Sequence, residues 1–411
     1  MALSKDFSIS AVIAGFVTVL VGFTSAGVLV FQAAQALGAS PAEIASWMWA
    51  LGLGMGVTSI ALSWHYRVPV VTAWSTPGAA MLITAAAGVS MPEAVGAFLV
   101  CAVLIMLCGF TGWFARVMNL IPISLASGML AGVLLQFGLN VFVAMQTQFV
   151  MVFAMFCCYL LMRRAVPRYA VLLALVLGLL IAGVQGLLEL ETVSLQLARP
   201  VLTLPQFSTS GIVGVALPLF IVTMASQNVP GVTTIRAFGY TSVPISPLIG
   251  WTGMATFLLA PFGAFAINLS SITAAISMGR EAHEDPDKRY VAGIAVGVFY
   301  LVVGLFGATV GAIFGALPEE LVLAIAGLAL LGSIGNGLAI ALSDERDREA
   351  ALITFFATAS GLTLFGIGSA FWGLLAGALA TLVRYSVNSL PGLRAGFQAA
   401  DEPDRCDHER R

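Results

Sequence analysis

Three short stretches place polar groups in otherwise apolar surroundings. Met224-Ala225-Ser226-Gln227-Asn228-Val229-Pro230-Gly231 sets two amides side by side. Trp74-Ser75-Thr76-Pro77-Gly78 puts hydroxyls just ahead of a proline, the order of a helix cap and its first turn. Asn268-Leu269-Ser270-Ser271 precedes a short Ala-rich run and reads as a second cap. A helix that starts inside an apolar medium leaves its first N–H groups unpaired. Those groups carry partial positive charge and welcome an anion. The amides Gln227 and Asn228 are costly in an apolar helix unless partnered. One reading gives them hydrogen bonds to a bound molecule; the other makes them contacts between helices.

Further groups sit at comparable depth. Thr24-Ser25-Ala26-Gly27, with Gln32 two turns on, is able to line the same cavity or simply to pack. Trp74, Phe16, Phe23 and Phe31 offer faces for an aromatic ring, although each of the 26 Phe is individually more at home against lipid or in a core. Glu43, Glu93, Glu319 and Glu320 fall at span ends, and His65, His283 and His408 in loops or the tail. With no carboxylate or histidine in mid-span, neither a metal site nor a Ser–His pair can be assembled, which argues against a membrane-embedded enzyme. Cys101, Cys108, Cys157 and Cys158 lie in apolar runs, Cys406 in the tail, and none has ligand spacing with a histidine. No cofactor and no metal are expected.

The elements that must position these groups follow from composition. Hydrophobic residues make up 59% of the 411 residues and charged residues 9%, with a mean hydropathy of +1.00. A soluble domain carries about 25% charged residues, so the solvent for most of this surface is lipid. At roughly 20 residues per helix, the length accommodates about fourteen spans. Apolar runs place them at 8–37, 41–63, 68–88, 92–115, 121–140, 142–162, 168–187, 211–230, 246–262, 264–279, 290–315, 319–341, 349–366 and 369–388. The first is read as a span rather than a cleaved signal peptide. With the N-terminus inside, all but one of the 18 Lys and Arg fall on the cytoplasmic side, the exception being Arg199 in the external segment 188–210. Both termini are thus expected in the cytoplasm.

Two segments are too irregular for plain helices. Residues 68–74 and 262–267 are extended in character, and each precedes one of the cap-like starts. One is the third span and the other the tenth, seven spans apart. An odd number of spans per half inverts the second half relative to the first. Interrupted helices at matching places in two halves point to a transporter site near the midplane. Two helix starts aimed at each other there suit one carboxylate, without a buried arginine.

With Ser-Gln-Asn-Val-Pro-Gly at 226–231 and Trp-Ser-Thr-Pro-Gly at 74–78, the chain resembles the benzoate/proton symporter family, BenE, over residues 8–388. That family is related to nucleobase transporters of the uracil permease type and, more distantly, to sulfate permeases. The resemblance implies an all-α membrane protein of about fourteen transmembrane segments in a 7+7 inverted repeat, with short antiparallel strands in the third and tenth. It implies a core domain of 8–115 and 211–315 and a gate domain of 121–187 and 319–388, leaving 389–411 as a polar cytoplasmic tail. Where uracil permease carries glutamates in its eighth span and at the start of its tenth-span helix, this chain has Gln227 and Ser270 or Ser271. Neutral donors in place of carboxylates fit an anion and disfavour a nucleobase, and they leave the proton pathway open.

The sequence thus leads to a bacterial inner-membrane carrier importing an aromatic carboxylate, benzoate by resemblance, with a proton. The binding residues expected are Thr24, Ser25, Trp74, Ser75, Thr76, Pro77, Gly78, Gln227, Asn228, Asn268, Leu269, Ser270 and Ser271. Protons and the lipid bilayer are its other partners; nucleic acid is not expected, and a homodimer is left open. The rival readings are another small anion or a nucleobase on the same fold, or a passive anion channel.

Overall fold

The computed structural model describes residues 6–85, 88–114, 122–189, 193–270, 273–280, 282–364 and 369–388. Its first half holds α1 (Ile9–Ala36), α2 (Pro41–Tyr66), strand β1 (Thr72–Ala73), α3 (Thr76–Ala85), α4 (Met91–Phe110), α5 (Ile123–Ala144), α6 (Phe149–Ala165) and α7 (Ala170–Val184). The second holds α8 (Thr209–Arg236), α9 (Ile245–Leu259), strand β2 (Asn268–Leu269), α10 (Ala274–Met278), α11 (Tyr290–Leu305), α12 (Gly307–Gly315), α13 (Glu319–Ala341), α14 (Arg348–Ala359) and α15 (Ser369–Asn388). Among the described residues seven helices are long and apolar enough to cross a membrane, or eight if the two arms of α1, bent by 42° after Phe23, form one span. The other expected spans hold shorter or broken elements.

Local chemistry explains the helix ends. Ser40 and Glu43 form a reciprocal cap at the start of α2, with Pro41 in its first turn. At the start of α4, the Glu93 carboxylate accepts the Ser90 N–H at 2.9 Å. Both glutamates are therefore caps. Helix α8 runs through two prolines that would ordinarily break it. Each follows a wide π turn: Ile212–Ala216 precedes Pro218, and Met224–Asn228 precedes Pro230. A proline ring clashes with the carbonyl four residues back, and the wider turn opens that space. This is why α8 continues past residue 230, where the sequence suggested an end.

The halves pack reciprocally. Helix α2 lies against α11, and α4 against α9; α5 packs on α13, α6 on α7, and α14 on α15. The first two contacts are so close that only glycine fits. A Cβ on Gly52 would lie 2.5 Å from the Gly304 Cα, and one on Gly109 would lie 2.2 Å from the Gly250 nitrogen. Small residues at such seams let helices associate in lipid, where no hydrophobic force pulls them together.

At the centre, β1 and β2 pair antiparallel, with Thr72 opposite Leu269 and Ala73 opposite Asn268. The Ser270 N–H extends the pairing to the Val71 carbonyl at 2.9 Å. A backbone group left unpaired in a membrane interior costs several kcal/mol, and neighbouring helices supply the missing partners. From α2, Ser59 Oγ accepts the Thr72 N–H at 3.1 Å and Ser63 Oγ the Val70 N–H at 3.0 Å. On the far edge, Thr256 Oγ1 of α9 accepts the Ile267 N–H at 3.0 Å.

Candidate functional site

Ser75 acts as the cap of α3. Its hydroxyl accepts the Gly78 N–H at 3.1 Å, and the Thr223 hydroxyl of α8 donates to it at 3.1 Å. Pro77 has no N–H, and the Ala79 N–H bonds the Ser75 carbonyl. Ser75, Pro77 and Gly78 are buried. The donors left at this helix start are the N–H and hydroxyl of half-buried Thr76, which make no hydrogen bond among the described residues.

The second start differs from the sequence reading. Phe262, expected to be extended, closes a 3₁₀ turn, Ala260–Phe262, and Gly263 turns the chain with φ 100°. Asn268 and Leu269 are strand, and α10 begins only at Ala274 with Thr273 at its cap position. The displacement has a simple cause: pairing with Val71 holds Ser270 in the sheet, so no helix can start there. The hydroxyls of Ser270 and Thr273 are 2.6 Å apart. Ser271 lies outside the described residues. At its other end, the Met278 carbonyl of α10 accepts from Arg289 at 2.9 Å, and this buried guanidinium also bonds the carbonyls of His283 and Glu284. A cation there complements the helix C-terminus.

The two amides of α8 part company. Asn228 is fully buried; its Oδ1 accepts the Leu269 N–H at 3.0 Å, and its Nδ2 lies 3.2 Å from the Met224 sulfur. It holds the strand. Gln227, half-buried in the same π turn, makes no hydrogen bond among the described residues. Helix α8 presses on β2 at Gly231, where a Cβ would lie 2.8 Å from the Leu269 Cβ. Asn268 donates to the Ala266 carbonyl at 2.9 Å, while its own Oδ1 is buried without a partner.

Beside these groups stands an aromatic cluster. Trp74 and Phe23 meet edge to face with centroids 4.7 Å apart, and Tyr300 of α11 stands 6.0 Å from Phe23. Phe16 is exposed and packs on Phe299, and Phe31 packs on Phe314; neither joins the cluster. Thr24 and Ser25 fall at the bend of α1, and their side chains lie outside the described residues. Sequence reasoning missed Thr223, Thr273 and Tyr300. A lone tyrosine inside the apolar run 291–305 was the signal for the last.

Residues 5–383 match the family model of the benzoate membrane transport protein, BenE. The chain belongs to the BenE family. It is 48% identical over 371 residues to the inner membrane protein YdcO of Escherichia coli, an alignment covering 90% of this chain and 95% of YdcO. To the benzoate membrane transport protein of Acinetobacter baylyi it is 43% identical over 381 residues, 93% of this chain and 96% of that one. BenE proteins are membrane transporters, and this chain is one of them. Among solved structures the fold resembles SLC26A9, with a TM-score of 0.62 and 14% identity, over 92% of this chain and 66% of that one. It also resembles the transmembrane domain of the cyanobacterial bicarbonate transporter BicA, with a TM-score of 0.58 and 14% identity, over 90% and 97%. These likenesses concern the fold.

Proposed function

We propose that the protein is a secondary transporter that imports benzoate, or a close aromatic monocarboxylate, together with a proton. The observation that carries this reading is the Phe23–Trp74 pair at the start of α3, with the unpaired donors of Thr76 and Gln227 on the flanking elements. Rings and donors together match a planar acid. The name of the Acinetobacter baylyi relative supports the choice of benzoate. Bringing a monoanion into a negative interior costs about 2.3 kcal/mol per 100 mV, and one accompanying proton cancels that cost.

The reading includes about fourteen spans in two inverted halves of seven, both termini in the cytoplasm, and a location in the bacterial inner membrane. The exchange of partners between halves, α2 with α11 and α4 with α9, is what such a repeat would produce, and it supports a relation to the uracil permease type. Core segments 8–115 and 211–315 would move against gate segments 121–187 and 319–388 in an elevator or rocking motion. The second reading is a carrier of a small inorganic anion, favoured by the fold shared with BicA; the aromatic pair speaks against it.

The test is uptake of labelled benzoate into liposomes holding the purified protein, with an imposed pH gradient and simultaneous measurement of proton entry. Uptake with proportionate proton entry is expected. Absence of uptake, or uptake that ignores the gradient, would overturn the reading.

A further inference from the structure

Tyr300 has a place that packing alone does not explain. It lies on α11, a helix that contributes no other residue to the site, and is 2% exposed. Its hydroxyl makes no hydrogen bond among the described residues, while the nearby Ser270 and Thr273 hydroxyls bond each other. The buried side-chain atoms without a partner among the described residues are Gln32 Oε1, Asn268 Oδ1 and Thr358 Oγ1. The Tyr300 Oη is not one of them, so this unbonded hydroxyl keeps open space beside it, where a phenol can still take a hydrogen-bond partner. The hydroxyl points to the gap between α1 and the start of α10. A Cβ built on Gly22 would lie 3.6 Å from the Tyr300 Oη and 3.8 Å from the Thr273 Cγ2. These are ordinary contact distances, so among the described residues the space in front of Gly22 admits a further atom. The ring faces Phe23, which in turn carries Trp74.

The backbone donors near this gap are few. The Gly78 N–H is held by Ser75 and the Leu269 N–H by Asn228, and α10 is a single short turn-and-a-half. An anion seated here needs a side-chain donor.

We propose that Tyr300 binds the substrate, donating its hydroxyl to the carboxylate of an aromatic acid whose ring lies by Phe23 and Trp74. This rests on the aromatic-carboxylate reading above and adds the group that discriminates charge. The residue separates a carboxylate, which accepts the phenol O–H strongly, from a neutral isostere that accepts it weakly.

The experiment measures benzoate and benzamide binding to the purified full-length protein by calorimetry, for wild type, Tyr300→Phe, Gly22→Ala and Gly22→Leu. Tyr300→Phe keeps the ring and deletes only the donor. It should weaken benzoate about tenfold to a hundredfold, the range for a lost hydrogen bond to a charged group, and change benzamide distinctly less. Gly22→Ala should bind as wild type, while Gly22→Leu should lose benzoate because its branches fill the space before the hydroxyl. A Tyr300→Phe protein that binds benzoate as wild type overturns the proposal. So does equal weakening toward both ligands, which would assign Tyr300 to shape alone. If Tyr300→Phe does not fold, undiminished binding by Gly22→Leu overturns it independently. Failure of the wild type to bind benzoate at all would instead sink the substrate reading itself.

Discussion

The side-chain oxygen of Asn228 accepts the backbone N–H of Leu269 at 3.0 Å. One helix thereby completes a strand that belongs to another, in the middle of the molecule. Replacing Asn228 with Ala should leave a buried donor unmatched and cost about 1–3 kcal/mol of stability. A lowered melting temperature in detergent would register this; an unchanged one would show that the strand does not depend on the amide.

Its neighbour should behave in the opposite way. Gln227→Ala removes a side chain with no hydrogen bond among the described residues, so thermal stability should hold. Benzoate affinity should fall by about 1.5–3 kcal/mol, the range for a hydrogen bond to a charged acceptor. Full affinity in a well-folded variant would place Gln227 outside the site.

The pair Ser75 and Thr223 should be coupled. Loss of the Ser75 cap costs about 0.5–2 kcal/mol, and Thr223 then loses its acceptor as well. The destabilisation of Ser75→Ala combined with Thr223→Val should therefore be smaller than the sum of the single losses, since groups in one network are not additive. Strict additivity in a double-mutant cycle would refute the coupling.

Charge should decide ligand preference. Arg67 is engaged by Asp6 and Tyr290, Arg163 by Tyr159 and Arg384 by Asp347, and the buried Arg289 is occupied by three carbonyls. A deep anion must rely on hydroxyls, amides and the start of α3, whose partial charge is on the order of half a unit. Competition binding should rank benzoate above benzamide and above an aromatic dicarboxylate. A dicarboxylate that binds best would point to a cation reaching the site.

Much of this architecture was readable in the chain. Pro77 behind Ser75 marked the α3 start because cap and proline act within one turn. The start of α10 was misplaced because a distant event decides it: Val71 captures the Ser270 N–H, and nothing near residue 270 announces that. Gln227 and Asn228 were indistinguishable as adjacent amides, since only the π turn determines which faces the strand. Phe16 and Phe23 share a helix face, but seven residues lift one about 10 Å above the other. Depth separated them, and periodicity carries no depth. Tyr300 was visible as a hydroxyl in an apolar run; it was passed over because no motif surrounded it.

The two-residue sheet also sets an order of events during synthesis. Ser59 and Ser63 can hold one edge of β1 as soon as α2 is inserted. The other edge, with the Val71 carbonyl, must wait until residues 268–270 leave the ribosome. While residues 74–267 are being made, the nascent chain carries an open strand edge. A chain arrested before β2 would keep that edge unfilled.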